Sequence, residues 1–146
     1  MQKINIVCVG KLKEKFYADA VAEYCKRLTR FAQVIVRELP EKRTLAEEGE
    51  LIRKELRGYT IALALEGKKL SSEGLAEKMR TLSDAGKEVT FFFFGSSCGL
   101  DQNVKNASDF LLSFSDMTFP HQLMRVILCE QIYRAFMINA GSEYHK

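Results

Sequence analysis

The chain has 146 residues, of which 47% are hydrophobic and 28% are charged, a balance typical of one soluble globular domain. Its formal net charge of +3 permits a nucleic-acid partner but does not require one. The four cysteines are widely spaced, which argues against a disulfide scaffold and a cysteine-rich metal site. No apolar run approaches the ~18 residues that a membrane helix needs. We therefore expect a cytoplasmic protein with reduced thiols.

Strand and helix signals alternate through the first half of the chain. Apolar residues at every fourth position, from Phe16 to Leu28, predict one apolar face of a helix. Thr44 and Glu47 form a capping box that predicts a helix start, and Gly58 predicts where that helix stops. The predicted order is a buried strand over 4–9, a helix over 13–30, a strand over 33–39, a helix from 44 to about 57, and a strand over 60–65.

The second half continues the alternation. Ser71 or Ser72 predicts a helix start, Asp101 a second, and Thr118 a third with Pro120 in the first turn. The predicted order is a helix to about 85, a strand over 89–94, a glycine-serine loop over 95–100, a short helix to 110, an extended segment over 111–115 and a final helix to about 139. We therefore predict a single α/β domain over residues 1–146, with a mainly parallel sheet covered by helices on both faces.

Three loops follow predicted strands at the carboxyl edge of the sheet, where open α/β sheets bind ligands. They are residues 66–69, 95–100 and 114–119. The sequence contains neither the dinucleotide-binding motif G-x-G-x-x-G nor the phosphate-loop motif G-x-x-x-x-G-K-[ST]. The usual dinucleotide and nucleoside-triphosphate sites are therefore not expected. For Gly67 and Lys68 the simpler interpretation is a solvated turn. For Gly95 and Gly99 a tight strand-to-helix turn is an equal alternative to a ligand site.

The final helix has apolar residues on nearly all sides, with charges between them. We expect it to be covered almost completely, and a second copy of the chain is the natural cover. Glu130 and Arg134 are four positions apart and can pair with each other. Arg125 has no acidic residue three or four positions away, which makes it the better candidate for contacting phosphate or a base edge.

Both histidines lie near this helix. His121 falls in its first turn, where a histidine often forms only a local hydrogen bond. Tyr144, His145 and Lys146 end the chain, and an aromatic ring, an imidazole and an ammonium together can stack on a base and contact its backbone. A frayed terminus is the alternative.

Several of these segments resemble one family. The chain is similar over its whole length to the bacterial RlmH family, SPOUT-class methyltransferases that methylate N3 of a pseudouridine in a stem-loop of 23S ribosomal RNA. The resemblance lies in KLKEKFYADAVAEYCKRL, GKKLSSEGLA, SFSDMTFPHQLMRVILCEQIYRAF and the terminal YHK.

The resemblance implies a Rossmann-like sheet with a C-terminal trefoil knot whose loops hold S-adenosylmethionine. It also implies a homodimer in which the tail of one subunit completes the active site of the other. No metal and no membrane partner are expected. The donor-binding residues that it implies are Leu63, Gly95, Phe114, Ser115, Asp116, Met117, Thr118 and Phe119.

One departure from the family pattern falls in the second loop. The family usually has two adjacent glycines there, whereas Ser96 follows Gly95 in this chain. A serine at a position that requires positive φ or close approach to the donor weakens binding. We expect the loop to tolerate Ser96 because Gly95 and Gly99 remain.

The expected chemistry is in-line transfer of a methyl group to a ring nitrogen, which depends chiefly on alignment. The imide proton must also leave, so a base or a cation is needed. His145 and Arg125 are the candidates, with Arg134 and Tyr144 positioning the RNA of the ribosome, whose unpaired bases can be turned out into a pocket. The alternative is an RNA-binding module of the same fold without methyl transfer, for which Ser96 is the only indication. A purely structural dimer would leave the charged final helix and tail unexplained.

Overall fold

A computed structural model gives the structure of residues 1–93 and 101–146. The strands are β1 Gln2–Val9, β2 Ala32–Leu39, β3 Tyr59–Lys69, β4 Val89–Phe93 and β5 Phe110–Ser113. The helices are α1 Lys15–Leu28, α2 Leu45–Arg53, α3 Ser72–Asp84, α4 Gln102–Ala107 and α5 His121–Asn139. The predicted loop over 95–100, with Gly95, Ser96 and Gly99, lies outside the described residues.

The five strands within the described residues are all parallel and lie in the order β2-β1-β4-β3-β5. Alternate side chains of the strands enter two separate cores. Ile6 packs on the face covered by α1, α3 and α5, whereas Val7 packs with Ile52 and Val104 of α2 and α4 on the other face. Every residue of β4 is buried, as the centre of a covered parallel sheet requires. The α/β prediction is confirmed, while the knot stays a prediction.

Two predicted features of the first helices need correction. The apolar face of α1 centres on Val21 and Leu28, whereas Phe16 is 63% exposed. The cap on α2 is confirmed, because the Thr44 hydroxyl accepts a hydrogen bond from the backbone N–H of Glu47 at 3.1 Å. However, α2 ends at Arg53 and not near residue 57. The backbone of Arg57 instead bonds to the hydroxyl of Thr90 on β4 through both its N–H and its carbonyl, which holds it against the sheet.

The starts of the last two helices also differ from prediction. Pro120 and not Thr118 precedes the first turn of α5, and no side chain caps that turn. Asp101 precedes α4 but forms no capping hydrogen bond through its side chain. α4 ends at Ala107, because Asp109 exchanges hydrogen bonds with Thr60 of β3 and so begins the pairing that forms β5.

The predicted loop over 66–69 is wrong, since these residues belong to β3. Leu63 and Lys68 both pair with Leu112, so four extra residues bulge from β3 between them. A Cβ atom on Gly67 would lie 2.7 Å from the backbone of Leu111. Glycine is therefore what allows the two strands to approach here.

Three of the four cysteines lie in the described part of the chain. Cys8 and Cys129 are buried, Cys25 is half-buried, and these three thiols are free. Cys98 lies outside the described residues. No helix in the described part of the chain is long and apolar enough to cross a membrane.

Candidate functional site

The segment between β5 and α5 forms part of the carboxyl edge of the sheet, next to the end of β3. The hydroxyl of Ser115 accepts a hydrogen bond from the Met117 N–H at 3.0 Å, and the Ser113 hydroxyl donates to the Ser115 carbonyl at 3.1 Å. Asp116 pairs with Lys69 of β3 at 2.5 Å. These contacts fold residues 114–120 into an irregular loop against the bulged strand.

This loop combines apolar side chains with backbone donors. Leu63 is buried in the core beside this loop's strand β5, whereas Leu65 and Met117 are 56% and 73% exposed. The first N–H groups of α5 have no partner within the helix and no capping side chain. Of the remaining predicted donor-binding residues, Phe114, Ser115 and Phe119 are half-buried, Asp116 and Thr118 are exposed, and Gly95 lies outside the described residues. The edge can therefore receive a ligand that has both an apolar ring and polar groups.

Arg125 faces the protein interior and is only 5% exposed. Its guanidinium lies 2.5 Å from a Glu38 carboxylate oxygen and donates to the carbonyls of Gly10 and Val9 at 2.5 and 3.2 Å. Arg125 has no acidic partner on its own helix, as its spacing predicts, but a carboxylate of β2 pairs with it from 87 positions away. Arg125 ties α5 to the ends of β1 and β2.

The predicted pair within α5 is confirmed, with Arg134 and Glu130 2.6 Å apart. The hydrogen bond that Arg134 donates to Glu130 raises the pKa of Arg134. Both side chains are largely buried, at 25% and 15% exposure. Arg134 therefore stays charged and keeps further N–H groups for another acceptor.

His145 is held between two charged side chains. Its Nδ1 lies 3.0 Å from Nη1 of Arg134, and its Nε2 lies 2.5 Å from a carboxylate oxygen of Glu73. Because arginine only donates, Nδ1 must accept, and Nε2 carries the proton that is donated to Glu73. This hydrogen bond lowers the pKa of the Glu73 carboxyl. The end of the chain is therefore folded onto α3 and α5 and is not frayed.

Aromatic rings surround the same tail. Tyr144 packs edge-on against Tyr133 with ring centroids 4.9 Å apart, and the Arg134 guanidinium lies 5.0 Å from the centroid of Tyr144. Burial, followed by a hydrogen bond with Tyr24, raises the pKa of Tyr144. Arg27 lies over the rings of both Tyr24 and Tyr133. The tail surface thus presents cations and aromatic faces together.

The structure brings three of the four predicted catalytic residues together, namely His145, Tyr144 and Arg134. Arg125 lies nine positions earlier on α5, about 13 Å along the helix axis from Arg134. His121 is half-buried at the helix start. The sequence analysis missed Glu73, although this residue lies in the segment GKKLSSEGLA that resembles the family. No spacing rule relates Glu73 to His145, which is 72 positions away.

The loop over residues 114–120 contains six of the predicted donor-binding residues and is termed the donor-side loop. This loop and the tail, residues 144–146, approach opposite ends of one short segment. Lys69 contacts Asp116, and Glu73 contacts His145. Four residues span at most about 14 Å even when extended. Ser72 also donates to the side-chain oxygen of Gln131 at 2.7 Å, which fixes the start of α3 on α5. Within residues 1–93 and 101–146, no group of three or more His, Cys, Asp or Glu side chains could hold a metal ion.

Comparisons with known proteins show which family the chain resembles. A family model described as predicted SPOUT methyltransferase matches residues 2–145. Ribosomal RNA large subunit methyltransferase H of Bifidobacterium adolescentis is 49% identical over 158 aligned residues, covering 99% of each chain. The protein of the same name from Streptococcus equi subsp. zooepidemicus is 46% identical with the same coverage.

Two solved structures share the fold at 11% sequence identity. A methylase family protein from Haemophilus influenzae superposes with a TM-score of 0.58, covering 98% of this chain and 70% of that one. A methylase family protein from Neisseria gonorrhoeae gives a TM-score of 0.53, covering 90% and 82%. At this identity the likeness shows the fold alone.

Proposed function

Because this chain belongs to the SPOUT methyltransferase family, we propose that it methylates N3 of a pseudouridine in a stem-loop of 23S ribosomal RNA, with S-adenosylmethionine as donor. The observation that best supports this substrate is the 46–49% sequence identity to proteins named ribosomal RNA large subunit methyltransferase H, over nearly the full length of both chains. The structural observation that best supports transfer to a ring nitrogen is the oriented imidazole of His145.

The donor fits the loop at the carboxyl edge of the sheet. Leu65 and Met117 offer exposed apolar surface for an adenine ring, and the uncapped start of α5 and the Ser115 hydroxyl offer polar contacts. We assign donor binding to Leu63, Gly95 and residues 114–119. When bound, S-adenosylmethionine supplies a methyl group on a positively charged sulfur, which is already activated for transfer.

His145 is the proposed proton acceptor. A new N–CH₃ bond at N3 requires loss of the N3 proton, and Nδ1 of His145 can take it once Arg134 turns from the imidazole toward an RNA phosphate. Glu73 accepts the hydrogen bond from Nε2–H of His145 throughout the reaction and stabilises the imidazolium that forms. Tyr144 offers a ring face to the base.

Arg125 has a positioning role in this proposal. Its guanidinium is already engaged by Glu38 and two carbonyls, so it sets where α5 begins relative to the sheet. Because the loop over 114–120 leads into that helix, Arg125 influences the donor site through the position of the loop.

We further propose that the chain acts as a homodimer in which the tail of one protomer serves the donor loop of the other. No residue of α5 is fully exposed, yet Leu123, Ile127 and Met137 lie outside the main core among the described residues. Together with Glu130 and Arg134 these residues form one stripe along α5. A second copy would cover that stripe.

Two measurements, made one after the other, test the proposed function. Calorimetric titration should detect S-adenosylmethionine binding, and a tritium-methyl assay should detect transfer to ribosomes that lack the modification. His145→Ala should abolish most turnover and leave donor binding unchanged. No binding at millimolar donor would favour the RNA-binding module instead, and donor binding with no methyl transfer to these ribosomes would overturn the assigned substrate.

A further inference from the structure

A groove outside the proposed active site runs between α3 and the β3–β5 edge of the sheet. Its volume is about 450 Å³, within the range of small-molecule and single-nucleotide sites. Tyr59 and Phe110, the first residues of β3 and β5, form part of its wall, and Lys68 and Lys78 contribute ammonium groups. The proposed mechanism uses none of these four residues.

Lys78 occupies an unusual position for a lysine. It is half-buried, and its ammonium lies 4.0 Å from the ring centroid of Phe110 and 5.1 Å from that of Tyr59. Within the described part of the chain no carboxylate forms an ion pair with it, although Glu77 also lines the groove. The two aromatic faces therefore hold a cation that has N–H groups left to donate.

One end of the groove meets both parts of the candidate active site. Lys68 is adjacent to Lys69, which pairs with Asp116 of the donor-side loop. Gly74 is adjacent to Glu73, which holds His145. From Gly74 to Leu82 the groove follows α3 for about 12 Å. A polymer bound there would run past the loop and the tail of the same protomer, each of which belongs to a site that the proposed dimer completes with the partner protomer.

We propose that this groove binds the unpaired nucleotides that flank the modified base in the target ribosomal RNA, an inference that rests on the proposed function. The rings of Phe110 and Tyr59 hold the Lys78 ammonium in place, and this ammonium and Lys68 contact phosphates of these nucleotides. The charge of the lining favours a polyanion, since two lysines outweigh the single glutamate. An added peptide strand is disfavoured, because β5 has only four residues to pair with.

The test measures binding separately from catalysis. Sedimentation or filter binding gives the affinity of the full chain for ribosomes lacking the modification, as a function of salt. Lys78→Glu should weaken binding about tenfold and reduce the salt slope by about one. Phe110→Leu keeps apolar bulk but removes the ring face that positions the Lys78 ammonium, and should weaken binding about fivefold. Lys78→Arg should keep near-wild-type affinity.

Arg80→Glu is the matched control. Arg80 is exposed on the same helix, about 200° around the axis from Lys78. This variant should change ribosome affinity by less than about twofold. In the methylation assay, Lys78→Glu should raise KM for ribosomes, and calorimetry should give the wild-type affinity for the donor. Thermal unfolding checks that each variant is folded.

The outcomes separate the two proposals. If the wild type methylates ribosomes and Lys78→Glu binds them as tightly as Arg80→Glu does, the groove assignment is wrong. If Lys78→Glu weakens ribosome binding but the wild type transfers no methyl group, the groove stands and the proposed function fails. A wild type that neither binds nor methylates these ribosomes overturns both.

Discussion

Arg125 and Arg134 lie on the same helix and were both expected to serve the RNA, yet their surroundings differ. Arg125 is almost fully buried and is engaged by Glu38 and by carbonyls at the ends of β1. Arg134 is paired with Glu130 but also reaches His145 at the surface of the tail. The difference comes from what packs over each residue and not from the residue type.

Arg125→Ala should destabilise the protein. The change leaves the Glu38 carboxylate and two carbonyls without their donor, so we expect a loss of about 2–3 kcal/mol in the free energy of unfolding, measured with urea. The double variant with Glu38→Gln should show coupling of about 1 kcal/mol or more. A variant of unchanged stability whose turnover collapses would contradict the positioning role and favour direct contact with the RNA.

Glu73→Gln should lower turnover without weakening binding. A glutamine can still accept the Nε2 hydrogen bond of His145, but it cannot stabilise an imidazolium by charge, so kcat should fall about tenfold while KM for ribosomes changes little. Glu77→Gln, one turn further along α3, is the control and should keep the wild-type kcat. An unchanged kcat in Glu73→Gln would remove Glu73 from the mechanism.

The carboxyl group of Glu73 also predicts that the contact between Glu73 and His145 depends on pH. Its pKa is lowered from 4.5 by the hydrogen bond with His145, so the contact strengthens the folded state above pH 4.5 and is lost as pH falls through the lowered value. Ring resonances of His145 in an NMR titration should therefore still report the docked tail at pH 4.5. Release of the tail well above that pH would contradict the assignment.

At the level of elements, the bulge in β3 connects fold and site. Residues 64–67 depart from the ladder, and pairing resumes at Lys68 beside the donor-side loop. Periodicity predicts where a strand begins but not that the chain rejoins its neighbour after an insertion. For this reason a solvated turn was the expected interpretation of Gly67 and Lys68.

Gly67→Ala should damage this connection. The new Cβ would lie 2.7–2.8 Å from backbone atoms of Leu111 and Leu112, which cannot move without breaking the β3–β5 pairing. We expect a loss of about 2 kcal/mol or more in unfolding free energy, together with weaker donor binding. Lys68→Ala is the control for stability, because its side chain is exposed, and it should change stability by less than about 0.5 kcal/mol. Equal stability of the two variants would show that the strands separate easily at this point.

At the scale of the whole molecule, the proposed dimer predicts complementation. His145→Ala inactivates the tail, and Ser115→Trp, which adds bulk in the donor-side loop, should inactivate donor binding. If each site combines the loop of one protomer with the tail of the other, mixed dimers regain one working site of two, so an equal mixture should recover about a quarter of wild-type activity. Subunits must first be exchanged under mild denaturation.

The same mixture discriminates against the alternative. If each protomer uses its own tail, every mixed dimer contains only defective sites, and activity stays at the background of the two separate variants. Wild-type protein taken through the same exchange controls for losses in refolding.

The sequence predicted much of the fold because its signals are local. The β-branched run of β1, the capping pair at the start of α2 and the serine cap of α3 are each formed by residues close together in the chain. Errors came where distant segments decide the outcome. Thr90 ends α2 early by binding Arg57, and Thr60 draws Asp109 into the sheet and shortens α4.

By itself, the sequence determined the parallel α/β class, the order of the elements and the family, since period, caps and extended motifs are written along the chain. Only the tertiary structure decided the partners of Arg125 and His145, because Glu38 is 87 positions from Arg125 and Glu73 is 72 positions from His145. Periodic patterns show which face of an element is buried. Which charge meets another across that buried face depends on how the elements pack in three dimensions.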